Sequence, residues 1–259
     1  MAEYMNQNHF VLVHGSNLGA WCWYKLKPWL QAAGYRVTAV DLAASGINMK
    51  AIQDVHTFQD YAEPLLEIMA SLPPNKKVIL VGHSLGGLSL ALAMEKFPEK
   101  VLVAVFITAF MPDTRHHSSY IFDQSRERIK LDLQDNQLLA YDESKPSIKS
   151  IRLGPEYLAS KLYQLSPTED LELAKMSVRP GPLLPDEENK FTDEGYGSVE
   201  RVYIVCDKDR VVPIEFQLWM IENNPVRRVF VIKGADHMPM FSKTYELCDS
   251  LLEIAHKHA

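Results

Sequence analysis

Six short apolar runs alternate along this chain with segments of helical periodicity. The apolar runs are His9–Val13, Tyr35–Val40, Lys77–Val81, Val101–Ile107, Arg201–Cys206 and Arg228–Ile232. The helical patterns are Trp21–Ala33, Phe58–Leu72, Leu85–Phe97, Glu215–Glu222 and Lys243–His256. Such alternation predicts an α/β fold with a doubly wound, mostly parallel sheet. Because the chain has 259 residues and 47% of them are hydrophobic, it can form one large domain with a sizeable core.

The alternation stops between about Asp113 and Pro185. That stretch contains charged helical pieces and prolines, and it has no convincing pattern of a core strand. The helical pieces are Ser125–Leu139, Pro155–Tyr163 and Pro167–Met176. We therefore predict a helical cap, residues 113–185, inserted into a core that residues 1–112 and 186–259 form together. Such a cap would cover the carboxyl edge of the sheet.

Charge and cysteine content narrow the range of partners and compartments. The formal net charge is −6 and charges of both signs are interspersed, so nothing favours a nucleic acid or a membrane as partner. No apolar run approaches the roughly 20 residues that span a bilayer, and the short, polar segment 1–8 predicts the absence of a signal peptide. Cys206 and Cys248 lie in apolar segments and are typical of core residues in a reducing compartment. We predict a cytoplasmic protein that needs neither a metal nor another cofactor.

One pentapeptide, Gly82–Gly86, has the G-x-S-x-G form of a nucleophile elbow. It follows the apolar run Val78–Val81 and precedes the helix-like Leu88–Lys96, which is the context that the motif requires. The turn would present the Ser84 hydroxyl at the carboxyl edge of the sheet and aim the N–H of Leu85 at a bound carbonyl. The alternative is a glycine-rich turn of a nucleotide-binding fold, but neither a P-loop lysine nor G-x-G-x-x-G spacing supports it.

A serine nucleophile needs a base, and His237 is the predicted base. In this arrangement the residues follow one another as Ser, Asp or Glu, then His, each after a strand. His237 follows the strand Val229–Ile232 through a short loop and precedes a helix. The other histidines after Ser84 lie at the start of the cap or in a polar tail; they are His116, His117, His256 and His258. The alternative role for His237 is simply to cap the following helix.

The carboxylate that orients the base should follow the preceding strand, Val202–Cys206. Asp207 and Asp209 both qualify, and Asp209 is preferred because it lies deeper in the loop. Asp207 is otherwise a solvated turn residue. Asp236 is adjacent to the histidine and is better suited to a turn, and Asp41 precedes the serine in the chain and is expected to brace a loop.

Stabilisation of the oxyanion needs a second N–H, which the loop after the first strand supplies in this arrangement. That loop begins His14-Gly15-Ser16. Gly15 lets the backbone approach the substrate, and the N–H of Ser16 is the expected donor beside that of Leu85.

With these residues placed, the chain resembles the plant methylesterase and hydroxynitrile lyase family of α/β hydrolases over nearly its whole length. The blocks that carry the resemblance are His9–Gly15, Trp21–Leu26, Val37–Gly46, Val81–Gly87, Phe110–Asp113, Gly197–Val199 and Gly234–Met238. The resemblance implies the α/β-hydrolase fold, a small-molecule ester substrate and a homodimer. It also makes Gly15, Met238, His83 and Leu183 candidates for substrate binding.

Two of these positions distinguish reactions within the family. Lyases of the family carry threonine where Gly15 stands and lysine where Met238 stands, and that lysine stabilises departing cyanide. Members that decarboxylate β-keto acids carry alanine in place of the nucleophile. Because Gly15, Met238 and Ser84 all match the esterase pattern, the resemblance implies ester hydrolysis through an acyl-enzyme.

The substrate itself is left open, because the cap segment Ser125–Ser150 departs from the family. It is rich in charge and lacks the tryptophan often found there in methyl salicylate esterases. The expected function is a serine carboxylesterase for methyl esters of small plant metabolites, such as hormone or alkaloid esters. The alternatives are ester cleavage coupled to decarboxylation or cyclisation, a hydroxynitrile lyase or other carbon–carbon lyase, and a binding or receptor-like module with vestigial catalysis.

Overall fold

Six parallel strands form the centre of the molecule. The computed structural model describes residues 8–130, 132–140, 149–183 and 190–258. In chain order the strands of the described residues are β1 His9–Val13, β2 Arg36–Val40, β3 Val78–His83, β4 Val101–Ile107, β5 Gln137–Ala140, β6 Lys149–Arg152, β7 Gly181–Leu183, β8 Arg201–Cys206 and β9 Arg228–Ile232. The central sheet has the order β2-β1-β3-β4-β8-β9, and each neighbouring pair is parallel. The predicted doubly wound parallel sheet is confirmed.

Side chains of the sheet divide between two apolar cores because successive residues of a strand point to opposite faces. In β1, Val11 and Val13 join one core, whereas Phe10 and Leu12 join the other. The inner strands β1, β3, β4 and β8 are therefore buried on both sides, which explains their continuous apolar runs, whereas the edge strand β9 exposes Val229 and Val231 on one face.

Helices cover both faces of this sheet. In the described ranges, the α-helices of four or more residues are α1 Leu26–Ala32, α2 Phe58–Ser71, α3 Gly86–Lys96, α4 Tyr120–Arg128, α5 Thr168–Ser177, α6 Ile214–Asn223, α7 Pro239–Ser242 and α8 Thr244–Lys257, of which α4 and α5 belong to the cap. Helices α2, α3 and α6 bury apolar residues in the first core, and α1 and α8 bury theirs in the second. The predicted helix Trp21–Ala33 is split into a 3₁₀ turn, Ala20–Trp23, and α1.

The cap contains a sheet that the sequence analysis did not predict. Strands β5, β6 and β7 form an antiparallel sheet in that order, accompanied by α4, α5 and the short helical segments Pro155–Tyr157 and Leu158–Leu162. The predicted helix Ser125–Leu139 is wrong, because α4 ends at Arg128 and β5 occupies the end of that range. These strands have only three or four residues each, so no local pattern reveals them. The predicted boundary between residues 185 and 186 lies outside the described residues.

Buried carboxylates attach the cap to the core. Asp236 Oδ2 accepts hydrogen bonds from the N–H of Leu165 at 2.9 Å and from the hydroxyl of Ser166 at 2.8 Å. Asp170 of α5 is fully buried, and its Oδ2 lies 2.5 Å from Nζ of Lys25. The cap is thus held against the sheet edge at which the predicted site lies.

All three cysteines are buried and free, which confirms that Cys206 and Cys248 are core residues. No helix in the described ranges is both long enough and apolar enough to span a bilayer.

Candidate active site

Ser84 lies in the turn between β3 and α3, in the left-handed region with a φ of +53°. Neighbouring backbone groups hold this turn: the Ser84 carbonyl accepts from Phe110 N–H at 3.0 Å and from Gly87 N–H at 3.1 Å, and its N–H donates to Ile107 at 3.3 Å. The conformation costs a non-glycine residue about 1 kcal/mol or more. These hydrogen bonds keep the serine in the strained turn, where its side chain lies at the carboxyl edge of the sheet.

His237 and Asp209 form a buried pair beside this edge. His237 Nδ1 lies 2.6 Å from Asp209 Oδ2, and both side chains are almost fully buried. The same oxygen accepts from Thr108 Oγ1 at 2.5 Å, while Oδ1 accepts from the N–H groups of Val211 at 2.7 Å and Val212 at 2.9 Å. The carboxylate therefore has four donors around it, and because a carboxylate oxygen only accepts, Nδ1 of His237 carries the proton in this hydrogen bond.

The other candidate acids brace loops instead. Asp207 Oδ1 accepts from the N–H of Gly234 at 2.6 Å. Asp236 Oδ1 accepts from the N–H of Met238 at 2.9 Å, which agrees with the turn role expected for it, in addition to its contacts with the cap. Asp41 accepts from an N–H of the loop after β1 at 2.7 Å, which confirms that it braces a loop.

His83, the residue before the serine, contacts both the ring and the backbone of His237. Its Nε2 lies 2.7 Å from the carbonyl oxygen of His237, and the two ring centroids are 4.7 Å apart. Burial, and then the nearby His237, lower the pKa of His83 well below its usual value, so the ring is neutral and Nε2–H is the donor. Its Nδ1 is buried and has no hydrogen-bond partner among the described residues.

The loop after β1 approaches the serine closely at Gly15. A Cβ on Gly15 would lie 2.8 Å from Ser84 Cβ, so only glycine fits without movement of the loop. His14 holds the loop: its Nδ1 lies 2.7 Å from the Gly15 carbonyl, and its Nε2 accepts from the N–H of Leu42 at 3.1 Å. Burial lowers the pKa of His14 to about 4, so the ring is neutral and Nδ1–H donates. Ser16 is thereby placed next to the elbow.

Two backbone donors in this region are free. Within the described part of the chain, neither the N–H of Ser16 nor that of Leu85 donates to another residue, and the Ser84 hydroxyl has no hydrogen-bond partner. Catalytic hydrogen bonds are often long in a site without substrate. The arrangement can thus offer a hydroxyl, an imidazole and two N–H donors to one small carbonyl compound.

Comparison with known proteins identifies the family. The family model described as "Alpha/beta hydrolase family" matches residues 10–249. Methylesterase 3 of Arabidopsis thaliana is 54% identical over 100% of both chains. The chain belongs to the plant methylesterase family of α/β hydrolases.

Other relatives of this hydrolase carry names that describe different activities. Polyneuridine aldehyde esterase of Rauvolfia serpentina is 50% identical over 98% of each chain. A crystal structure of polyneuridine aldehyde esterase has a TM-score of 0.94 to this structure, with 51% identity over 96% of this chain and 99% of that chain. Norfluorocurarine synthase 1 of Strychnos nux-vomica is 50% identical over 97% of this chain and 96% of its own length.

The remaining candidates for substrate binding differ in exposure. Met238 is fully buried next to His237, whereas Leu183, at the end of β7 in the cap, is 39% exposed. His83 contacts the His237 loop, as described above. That it also contacts the substrate was predicted from the sequence and stays a prediction. No set of three acidic, histidine or cysteine side chains in the described ranges is arranged to hold a metal.

Sequence analysis missed two supports of the site. Thr108 has a φ of +37° and follows β4 directly, and its hydroxyl binds Asp209. His14 ends the apolar run of β1 and orders the loop that carries Ser16. Both lie at strand ends on the carboxyl edge, the same position that singled out Ser84 and His237, and this is the signal that could have found them.

Proposed function

We propose that this protein is a cofactor-free serine carboxylesterase that hydrolyses methyl esters of small plant metabolites, such as hormone or alkaloid esters. The observation that carries the proposal is the buried His237–Asp209 pair, which contacts His83, the residue directly before the serine of the nucleophile elbow. A hydroxyl becomes nucleophilic at neutral pH only beside a base, and a base keeps the required tautomer only when its other nitrogen is held.

In the proposed reaction, Ser84 Oγ attacks the ester carbonyl while Nε2 of His237 takes the hydroxyl proton. The negative charge of the tetrahedral intermediate is stabilised by the N–H groups of Ser16 and Leu85, which have no other described acceptor. Asp209 stabilises the imidazolium that forms. His237 then gives its proton to the methoxy oxygen, and methanol leaves. Water hydrolyses the acyl-enzyme by the same route and releases the acid.

Two further observations favour hydrolysis over cleavage of a cyanohydrin. Relatives that cover the whole chain are named as methylesterases and esterases. Met238, next to His237, is neutral and fully buried, so this position offers no cation to a departing cyanide.

A second candidate is ester cleavage followed by decarboxylation or cyclisation of the product. It is favoured by the 50% identical relative named norfluorocurarine synthase 1, whose name describes a synthase rather than an esterase. An acid with a β-carbonyl group would lose carbon dioxide after hydrolysis, so both candidates share the first step.

A panel of methyl esters tests the proposal. Methyl salicylate, methyl jasmonate, methyl indole acetate and an alkaloid β-carbonyl ester would be incubated with the protein, with product analysis by mass spectrometry and a cyanohydrin as a further substrate. We expect ester hydrolysis, and a decrease in kcat of about 10⁴- to 10⁶-fold in Ser84→Ala.

Ser89→Ala is the matched control, because Ser89 is a buried serine of α3 whose hydroxyl has no described partner. It should retain full activity and leave Ser84 open to labelling by a fluorophosphonate. Full turnover by Ser84→Ala would show that the mechanism is wrong, and a detected carbon dioxide release would favour the second candidate.

A further inference from the structure

Asn17, next to Ser16, connects the oxyanion loop to the cap. Its side chain is buried, and its Nδ2 donates to the carbonyl oxygens of Ile151 at 2.6 Å and Arg179 at 3.0 Å. The N–H of Arg179 donates back to the Asn17 carbonyl at 3.1 Å, and the Ser16 hydroxyl donates to Asn17 Oδ1 at 3.0 Å. One side chain therefore joins two segments of the cap to the residue that carries the proposed oxyanion donor.

The backbone conformation of Asn17 adds to this connection. Its φ is +65°, a left-handed conformation that asparagine adopts more readily than most residues. Because the chain reverses direction at Asn17, its φ and ψ determine where the preceding loop, including Ser16, lies relative to the elbow.

The cap contacts the same loop through Gly181. A Cβ at Gly181 would lie 2.2 Å from Ser16 Oγ and 2.8 Å from Asn17 Oδ1, so the backbone of β7 packs directly on the loop. Gly181 pairs with Ile151 in the cap sheet. The two strands that touch Asn17 thus form one unit, and they cannot shift without disturbing the loop.

We propose that Asn17 is a positioning residue that couples docking of the cap to the geometry of the oxyanion hole. When the cap sheet is docked, the hydrogen bonds of Asn17 hold the loop so that the Ser16 N–H faces the oxyanion; when they are lost, the donor is misplaced although the pocket stays formed. The inference rests on the proposed esterase function, because it assigns the Ser16 N–H its acceptor.

The test compares Asn17→Gly and Asn17→Asp with the control Tyr24→Phe. Glycine tolerates the positive φ, so Asn17→Gly removes the side-chain hydrogen bonds without backbone strain. Asn17→Asp keeps the shape but replaces the donor with an acceptor facing two carbonyl oxygens. Tyr24→Phe removes a different hydrogen bond between core and cap, that of the Tyr24 hydroxyl to Asp170 at 2.6 Å, which involves neither Ser16 nor Asn17.

With p-nitrophenyl acetate as substrate, we expect both Asn17 variants to lose about 10- to 10²-fold in kcat, since one misplaced oxyanion donor costs up to 10²–10³. KM should stay near that of the wild type, and Tyr24→Phe should keep its kcat. Labelling by a fluorophosphonate, whose P=O group uses the same donors, should slow in parallel. Gly181→Ala provides the same test from the cap side with Asn17 intact.

The outcomes separate the two proposals. If the wild type and Ser84→Ala hydrolyse the ester equally, the esterase function fails. If Ser84→Ala is inactive but Asn17→Gly and Gly181→Ala keep the wild-type kcat, or change only KM, the positioning role is wrong. Should an Asn17 variant fail to fold, as judged by circular dichroism, the kcat of Gly181→Ala decides alone.

Discussion

At the scale of single residues, Asp209 differs from Asp207 by what surrounds it rather than by its distance from β8. Asp209 is buried and accepts two backbone N–H groups, a hydroxyl and a ring N–H. Asp207 is partly exposed; its Oδ1 accepts from the N–H of Gly234, and its Oδ2 lies 4.0 Å from Lys208 Nζ. A carboxylate with all its oxygens occupied cannot rotate, and it therefore fixes the orientation and tautomer of the ring that it contacts.

Replacing each acid by its amide should separate these two roles. Asp209→Asn presents an amide to His237 Nδ1 and favours the wrong tautomer, so we expect kcat to decrease by about 10³- to 10⁴-fold. Asp207→Asn still accepts from Gly234 and should change kcat little. Steady-state kinetics on one methyl ester measures both. Equal losses, or a larger loss in Asp207→Asn, would reassign the acid.

At the scale of secondary-structure elements, the attachment of α5 to the core depends on one buried charge. Asp170 is fully buried, and Tyr24 Oη and Lys25 Nζ, both from the segment before α1, donate to its two oxygens. Burying a carboxylate is unfavourable unless it is paired, so removal of the cation leaves a charge that the surrounding apolar cluster cannot solvate.

Lys25→Met should therefore destabilise the protein, by about 2–4 kcal/mol, since the tyrosine hydrogen bond remains and the lysine is partly exposed. The double variant Lys25→Met with Asp170→Asn removes both charges and should recover part of this loss. Urea denaturation measures the free energy of unfolding of both. A double variant less stable than Lys25→Met would show that the ion pair is not the cause.

At the scale of the whole molecule, three histidines are buried in the neutral form. Burial lowers the pKa of His9 and of His14 to about 4 each, and that of His83 well below its usual value. Two of these, His14 and His83, lie under the proposed site and act as neutral hydrogen-bond donors. These two histidines therefore have two effects: they hold the loops of the site, and their lowered pKa values make the folded state less stable in acid.

Stability should fall as the pH falls from about 6.5 towards 4. In that range the unfolded chain binds protons at these histidines and the folded chain does not, so protonation favours unfolding. For His14, a pKa of about 4 in place of 6.5 corresponds to about 3 kcal/mol. The measurement is the free energy of unfolding in urea at several pH values.

The variant His14→Asn should flatten this dependence, whatever its stability at neutral pH. His56, an exposed histidine, provides the control, because His56→Asn should keep the slope of the wild type. The same slope in all three proteins would contradict the role assigned to His14.

The homodimer implied by the family resemblance stays a prediction, which light scattering after size-exclusion chromatography would test.

The amino-acid sequence by itself determined the sheet, the elbow and the strand ends that carry the chemistry. The predicted runs His9–Val13, Val101–Ile107, Arg201–Cys206 and Arg228–Ile232 have the same bounds in the structure. Strands buried on both faces produce continuous apolar runs, and a nucleophile elbow needs its glycines and serine at fixed spacing. These are local requirements, and a local pattern is enough to reveal them.

Only the tertiary structure decided which acid meets His237, and it also revealed the cap sheet and the position of Asn17. Asp207 and Asp209 follow the same strand. Only Asp209 is buried, because it accepts hydrogen bonds from Thr108 and His237, which are distant in sequence. Strands β5, β6 and β7, with three or four residues each, are too short to leave a pattern. The hydrogen-bond partners of Asn17 are more than a hundred residues away in the sequence, so only the folded structure reveals them. Spacing shows which edge of the sheet a side chain reaches, whereas the partner that it meets there depends on contacts between distant parts of the chain.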